Sequence, residues 1–335
     1  MMRFLAAILA FCPLLLMAQA TRTDSIRRRV YQRAVRIDSL LAEKNNHVNF
    51  DTAYIGWPHS RLTLKWRTNV SGSSFHVKRR RGGYEGGSDV STDNKATLSI
   101  GASYRGISAG LALNPGKLLG HYTDYELNLN AYSNRYGVDM AYQSSSTLSG
   151  TVTINGDEYF MQKGVMDMKM LTVNGYYAFN GRRFSYPAAF TQSYIQKRSA
   201  GSWLVGFSFL GGSLTAGERK TERMPDYRIY VGHLGIGGGY GYNLVAGHGW
   251  LIHLSALPTL VVSNRNNFKV DGERRDMATK FPDLILAERA SVVRGFGEKY
   301  FAGATLVMTN SLLGDNDIDI NYRKWRARLF VGVRL

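Results

Sequence analysis

The chain has 335 residues and a formal charge of +17 at pH 7; 44% of it is hydrophobic and 12% aromatic, with 36 Gly, 20 Tyr and 7 Pro. That length accommodates one large domain or two smaller ones, and past the N-terminus no run reaches the roughly 18 apolar residues of a membrane helix. A basic balance suits nucleic acid, an anionic membrane surface or acidic substrates, and an export signal at the N-terminus argues against nucleic acid.

Residues 1–20 read MMRFLAAILAFCPLLLMAQA. Arg3 gives the positive start, Phe4–Met17 the apolar run and Ala18-Gln19-Ala20 the small-residue site, so a signal peptide cleaved after Ala20 is predicted. Cys12, the single cysteine, follows bulky Phe11, a poor context for lipid attachment. Cleavage leaves a mature chain without disulfides or a cysteine for zinc. Residues 21–58 are expected to form a periplasmic helix and lead-in. Ile26, Val30, Ala34, Ile37 and Leu41 make one apolar stripe over 24–44, while Arg27, Arg28, Arg29, Arg33 and Arg36 take much of the rest. Such a helix suits anionic headgroups and equally suits solvent.

From residue 59 to 335 the chain alternates with period two, the signature of strands with two unlike faces. In Arg61–Asn69, Leu62, Leu64 and Trp66 oppose Thr63, Lys65 and Arg67, and a polar external loop is expected over 71–94. Lys95–Tyr104 and Gly106–Asn114 follow across a tight turn, then Thr123–Ser133, Tyr136–Gln143 and Met168–Asn180. Gly181–Ser202 breaks the alternation and carries Pro187; a short helix is expected in it. Trp203–Leu214, Arg228–Asn243, Gly249–Val262, Asp283–Arg294, Lys299–Ser311 and Tyr322–Leu335 complete twelve strands. The last sets the theme: Trp325, Ala327, Leu329, Val331 and Val333 oppose Lys324, Arg326 and Arg328. A soluble core does not accept unpaired cations on a buried face, whereas a strand between lipid and water does. Short and long links alternate except at 181–202, as in outer-membrane barrels with short periplasmic turns. The predicted fold is all-β, a transmembrane antiparallel β-barrel of about twelve strands with a short N-terminal periplasmic helix, located in the outer membrane.

The export signal, the DTAYI stretch at Asp51–Ile55 and the run FSYPAAFTQSYIQKRSAGS at Phe184–Ser202 resemble an uncharacterised Bacteroidetes-type outer-membrane family known only as a domain of unknown function. The likeness spans nearly all of the mature chain. It implies an outer-membrane barrel and supplies no catalytic residues.

The candidate functional residues lie mostly on the inner face. If the first and last strands are neighbours, Lys65, Arg67, Lys324, Arg326 and Arg328 form one basic wall, with Asp124, Glu126 and Asp139 as an acidic wall. Two readings are open: a transverse field in a wet channel, favouring anionic or dipolar solutes, or charges paired across a filled interior. His253 and Ser255, two apart on one strand face, resemble the His-x-Ser pair of outer-membrane lipid A deacylases, but Ala256-Leu257 replaces that family's Asn-Ala. A hydrogen-bonded structural pair is the alternative. His233 is expected to face inward near His253, without the further ligands a metal site needs. GIGGGYG at Gly235–Gly241 lies within a strand, so glycines that permit curvature explain it better than a phosphate loop. Lys78, Arg79, Arg80 and Arg81 are expected in an external loop, able to meet lipopolysaccharide phosphates. No cofactor or metal is expected. The expected partners are outer-membrane lipid and the barrel-assembly machinery. The sequence favours a non-enzymatic barrel, a narrow pore or structural envelope protein, over a lipid- or glycan-processing hydrolase.

Overall fold

The structure, a computed structural model, describes residues 32, 36, 49–58, 60, 62–81, 84–104, 107–113, 124–154, 156–216, 227–270, 273–276, 283–314 and 318–335. The expected signal peptide and nearly all of the helix expected over 24–44 lie outside these residues; Gln32 and Arg36 are helical.

Twelve strands form the wall: β1 Leu62–Arg81, β2 Lys95–Tyr104, β3 Ile107–Leu113, β4 Tyr125–Tyr132, β5 Tyr136–Ser145, β6 Met166–Ala178, β7 Ala200–Ala216, β8 Tyr227–Ala246, β9 Trp250–Asn264, β10 Leu284–Phe296, β11 Tyr300–Gly314 and β12 Ile318–Arg334. The described ladders are all antiparallel. They join β1 to β2 and β2 to β3, and run without a break from β4 to β12. The sheet order sets β3 beside β4. β12 returns to β1 in a register from Ile318↔Arg79 to Arg334↔Thr63. Leu62 and Leu335 exchange backbone hydrogen bonds at the end of this seam, at 3.2 and 2.7 Å.

Period-two alternation decides which side chains meet which medium. Trp66, Ile100, Trp203, Leu254 and Leu329 point outward and are 56–69% exposed. On the opposite face of the same strands, Lys65, Ser99, Ser202, His253 and Ser255 are buried. An apolar exterior around a polar interior is the inverse of a soluble barrel and fits a transmembrane one. Aromatic residues gather at the short-turn rim, where Trp203 meets Tyr240 edge-on at 5.2 Å between centroids. There Arg294 lies 5.1 Å from the Trp250 ring centre and 4.9 Å from that of Phe296. Amphipathic rings with cations beside them suit the boundary between hydrocarbon and headgroups.

The external loop expected over 71–94 is partly strand, and two further links between wall strands carry strands as well. β1 does not stop near Asn69 but runs to Arg81, because its ladder with β12 continues and 74–81 also pairs with a strand at Tyr84–Ser91. Lys78, Arg79, Arg80 and Arg81 therefore end a strand and are not in a loop; of their side chains, that of Lys78 is described, and it is exposed. Tyr84–Ser91 pairs with Ser149–Ile154, which pairs with Asp157–Met161, so the sheet overhangs the long-loop rim. A further hairpin, Asn267–Val270 with Glu273–Asp276, extends β8.

The glycines of β8 mark a close approach. A Cβ on Gly237 would lie 2.0 Å from the Pro258 carbonyl oxygen, and one on Gly239 2.0 Å from that of Ala256. The β8–β9 register shifts at Leu234/Gly235, a β-bulge. Bulges and glycines are the devices by which a sheet bends tightly.

The plugged lumen as candidate functional site

The segment between β6 and β7 does not run along the rim; it enters the barrel from the short-turn end. Ser185 caps a one-turn helix, α1 (Tyr186–Phe190), accepting from the Ala188 N–H at 3.2 Å, with Pro187 in its first turn. Every residue of α1 is buried. Phe184 and Tyr186 stand 5.1 Å apart, and Tyr186 meets Tyr176 of β6 at 4.3 Å and His253 of β9 at 4.8 Å. Leu204, Leu251, Leu257, Val293, Phe301 and Phe330 complete this apolar filling.

Polar groups bind the plug to the wall. The Gln196 amide nitrogen donates to the carbonyl oxygens of Arg183 and Arg198 at 2.6 and 2.9 Å, and its oxygen accepts from the Ser185 N–H and Asn243 Nδ2 at 3.1 and 2.9 Å. Ser291 Oγ donates to the Ala189 carbonyl at 2.8 Å, and Lys65 to that of Thr191. Ile195–Gln196 pairs with Ile55–Gly56, tying the lead-in to the plug. A cavity of about 590 Å³ remains at this mouth, bounded by Phe50, Trp57, Tyr194, Gln196, Phe301 and Arg334 among others.

His253 lies within the plug contact. Its Nδ1 is 2.7 Å from Asn243 Oδ1 and its Nε2 is 3.0 Å from Ser255 Oγ. The sequence of groups, amide, imidazole, hydroxyl, has the connectivity of a hydrolytic triad. Yet the ring has no exposed surface and is covered by Phe184, Tyr186 and Phe190. His233 is not near it. His233 pairs with Asn264 and His253 with Asn243, and ten residues along a strand is roughly 33 Å. His233 Nε2 bonds Asn266 instead, at 3.0 Å. Among the described residues no group of three or more His, Cys, Asp or Glu side chains is placed to hold a metal.

The acidic positions face inward, and each meets a cation. Lys324 Nζ on β12 donates to Glu126 Oε2 on β4 at 2.9 Å and to Gln143 on β5 at 2.9 Å. Arg289 on β10 donates through Nε and an Nη to Asp139 Oδ2 on β5, at 2.9 and 2.6 Å. Tyr132 also donates to Asp139. Asp124 meets Lys95 at 3.2 Å and accepts from Thr147 Oγ1 at 2.8 Å. The first two pairs cross the lumen. Arg289 and Lys95 escape a reading that looks for walls of one sign, although alternation sets Arg289 on the same face as Ile285 and Ala287. Lys65, Arg67, Arg326 and Arg328 share the inner face of the β1–β12 seam, as the register requires.

At the long-loop end a second apolar layer spans the lumen. Phe75, Met166, Met168, Met170, Leu210, Ile285 and Tyr322 are buried together there. From one mouth to the other the interior thus passes through an aromatic plug, a charged girdle and a methionine-rich cap.

Comparison with solved structures finds similarity to barrels at very low identity. The translocator domain of the autotransporter NalP from Neisseria meningitidis is 10% identical, covering 92% of this chain and 98% of that one, with a TM-score of 0.32. The outer membrane protease OmpT from Escherichia coli is 7% identical, covering 83% and 97%, at 0.34. The outer membrane protein OprG from Pseudomonas aeruginosa is 12% identical, covering 82% and 96%, at 0.26. No curated protein sequence matches the chain. The family model described as "Domain of unknown function (DUF4421)" matches residues 49–335, and the chain belongs to that family.

Proposed function

We propose that this protein is an exported, non-enzymatic outer-membrane barrel that stands closed and serves as a structural element of the envelope. The observation that carries the reading is the burial of α1 and the residues leading into it inside the barrel, with Phe184, Tyr186 and Ala189 entirely withdrawn from solvent. A segment held there by Gln196, Ser291 and Lys65 blocks a solute path as well as it braces the wall. Of the two readings of the inner charges, pairing across a filled interior has the support of the Lys324–Glu126 and Arg289–Asp139 bonds. The apolar belt and the short-turn and long-loop ends support the membrane setting. On this reading the partners are outer-membrane lipid, lipopolysaccharide phosphates at the Lys78–Arg81 rim, and the assembly machinery that inserts the barrel. Planar-bilayer recording of the intact protein should show no channel events; stable unitary openings from it would remove the closed reading.

A second reading has one observation in its favour, the Asn243–His253–Ser255 line. It makes the barrel a lipid- or glycan-processing hydrolase whose site is uncovered when the plug withdraws. A fluorophosphonate probe decides it: labelling that is lost in Ser255→Ala supports hydrolysis, and an unlabelled protein in native lipid removes it.

A further inference from the structure

The acids of the lumen do not suffice for its cations. Asp124, Glu126 and Asp139 are each engaged by Lys95, Lys324 and Arg289. Asp283, also inward, sits at the long-loop end near Gly314, some eight residues or roughly 26 Å along the wall from Arg328. The sequences of β2 and β3, KATLSIGASY and ISAGLAL, contain no acid at all. Among the described residues Lys65, Arg67, Arg326 and Arg328 therefore make no direct ion pair with a carboxylate, and Asp139, already held by Arg289, reaches Arg328 only at longer range.

These four cations are close together. The register puts Arg67 opposite Phe330 and Asn69 opposite Arg328, so Arg67 and Arg328 are diagonal neighbours on one face. Lys65 lies in the field of Arg67 and Arg328, and Arg328 in that of Arg326 and Arg67, which Tyr132 and Asp139 oppose more weakly. Their neutral contacts are few. Arg328 Nε donates to Asn69 Oδ1 at 2.6 Å, Lys65 to the Thr191 carbonyl, and Arg67 Nε is buried with no partner. With its amide turned to satisfy both neighbours, Asn130 accepts from Arg326 at 3.2 Å and donates to Asp139 at 3.1 Å.

Arg67, Asn69, Arg326 and Arg328 point into the barrel and still keep part of their surface accessible. They cluster on the inner face of the β1–β12 seam, between the plug and the charged girdle. Uncompensated cations in such a place are costly, because neither water nor a carboxylate fully replaces the lost hydration. Guanidinium forks match the paired oxygens of a tetrahedral anion. We propose that the cluster of Arg67, Arg326 and Arg328, with Lys65 at its plug-side edge, holds a free phosphate- or sulfate-type oxyanion. The anion would be a fixed component of the closed barrel, joining the β1–β12 seam to the plug.

The test uses the full-length mature protein refolded in detergent and does not depend on whether the barrel conducts. Equilibrium dialysis with radiolabelled inorganic phosphate should retain one phosphate per chain, unaffected by chloride at matched ionic strength. Thermal unfolding should show a saturable rise in Tm with phosphate. Arg328→Gln should lose retention at least tenfold, while Arg294→Gln, on the outer face, should keep it. Without phosphate, Arg328→Gln should be no less stable than the parent, since it removes an uncompensated cation. Absence of stoichiometric retention by the parent protein overturns the proposal, as does retention undiminished in Arg328→Gln. If that variant does not fold, Arg67→Lys replaces it: weakened retention with the charge conserved supports a fork-bound oxyanion, and unchanged retention overturns it.

Discussion

At the scale of single residues, the inner face separates ion pairs that hold the barrel together from cations that do not. Asp139 accepts two bonds from Arg289 and one from Tyr132 and is itself buried. Removing one partner of a buried pair leaves the other charged and unsolvated, at a cost of about 3–5 kcal/mol. Asp139→Asn is therefore expected to lose roughly that much stability in urea unfolding from lipid, and Asp139→Asn combined with Arg289→Met should recover a large part of it. A double variant no better than the single would mean that Asp139 acts through Tyr132 rather than through the cation. The opposite expectation holds for Arg328, whose partner is the neutral Asn69.

At the scale of elements, the plug and the strand faces make separate claims. Tyr186 and Phe190 fill the short-turn end as core side chains do in a soluble protein, and truncating a large buried aromatic costs about 3–5 kcal/mol. Tyr186→Ala with Phe190→Ala should destabilise the barrel and give it discrete conductance in planar bilayers where the parent has none. A double variant that stays silent would show that the methionine-rich cap closes the lumen by itself. On the outer face, Leu254 is 63% exposed as the fifth of the fifteen residues of its strand, roughly 13 Å in from the aromatic rim. A lipid-facing arginine near the bilayer midplane costs about 2–4 kcal/mol, so Leu254→Arg should lose that amount when folded in phospholipid vesicles. A nil effect there would mean that this face does not meet hydrocarbon.

At the scale of the molecule, three layers occupy one tube. The aromatic plug fills the mouth that carries both the lead-in and the C-terminal seam, and the lead-in is stitched to it through Ile55 and Gly56. The prediction is that cutting the Ile55–Gln196 contact, for instance with Ile55→Asp, loosens the plug without unfolding the wall. Limited proteolysis should then cleave within 181–199 while the heat-modifiable mobility of the barrel on gels is retained. Cleavage in the wall strands as well would show that wall and plug unfold as one unit.

How much of this was legible beforehand depends on whether a property is periodic. The strands are, because lipid and lumen impose opposite demands on adjacent residues, and so Leu329 and Arg328 reveal the wall in a single reading. The family likeness lay in the segment around Phe184–Ser202 for the same chain, yet its role did not, since a plug obeys no period and its hydrophobic residues read as an ordinary loop with a short helix. The apolar alternation of β1 ends near Asn69, and Ser71, Ser73 and Ser74 have the composition of a loop, yet they stay in the ladder on the strength of backbone pairing with β12. Pairing partners were also beyond reach: Arg289 with Asp139 and Lys324 with Glu126 are 150 and 198 residues apart, and only closure of the sheet brings them together. The sequence by itself determined which face of each strand is apolar, because that is set by local alternation against two media. The tertiary structure alone decided that the lumen is filled and which cations remain without an acid, because both follow from what the closed wall forces into the same space.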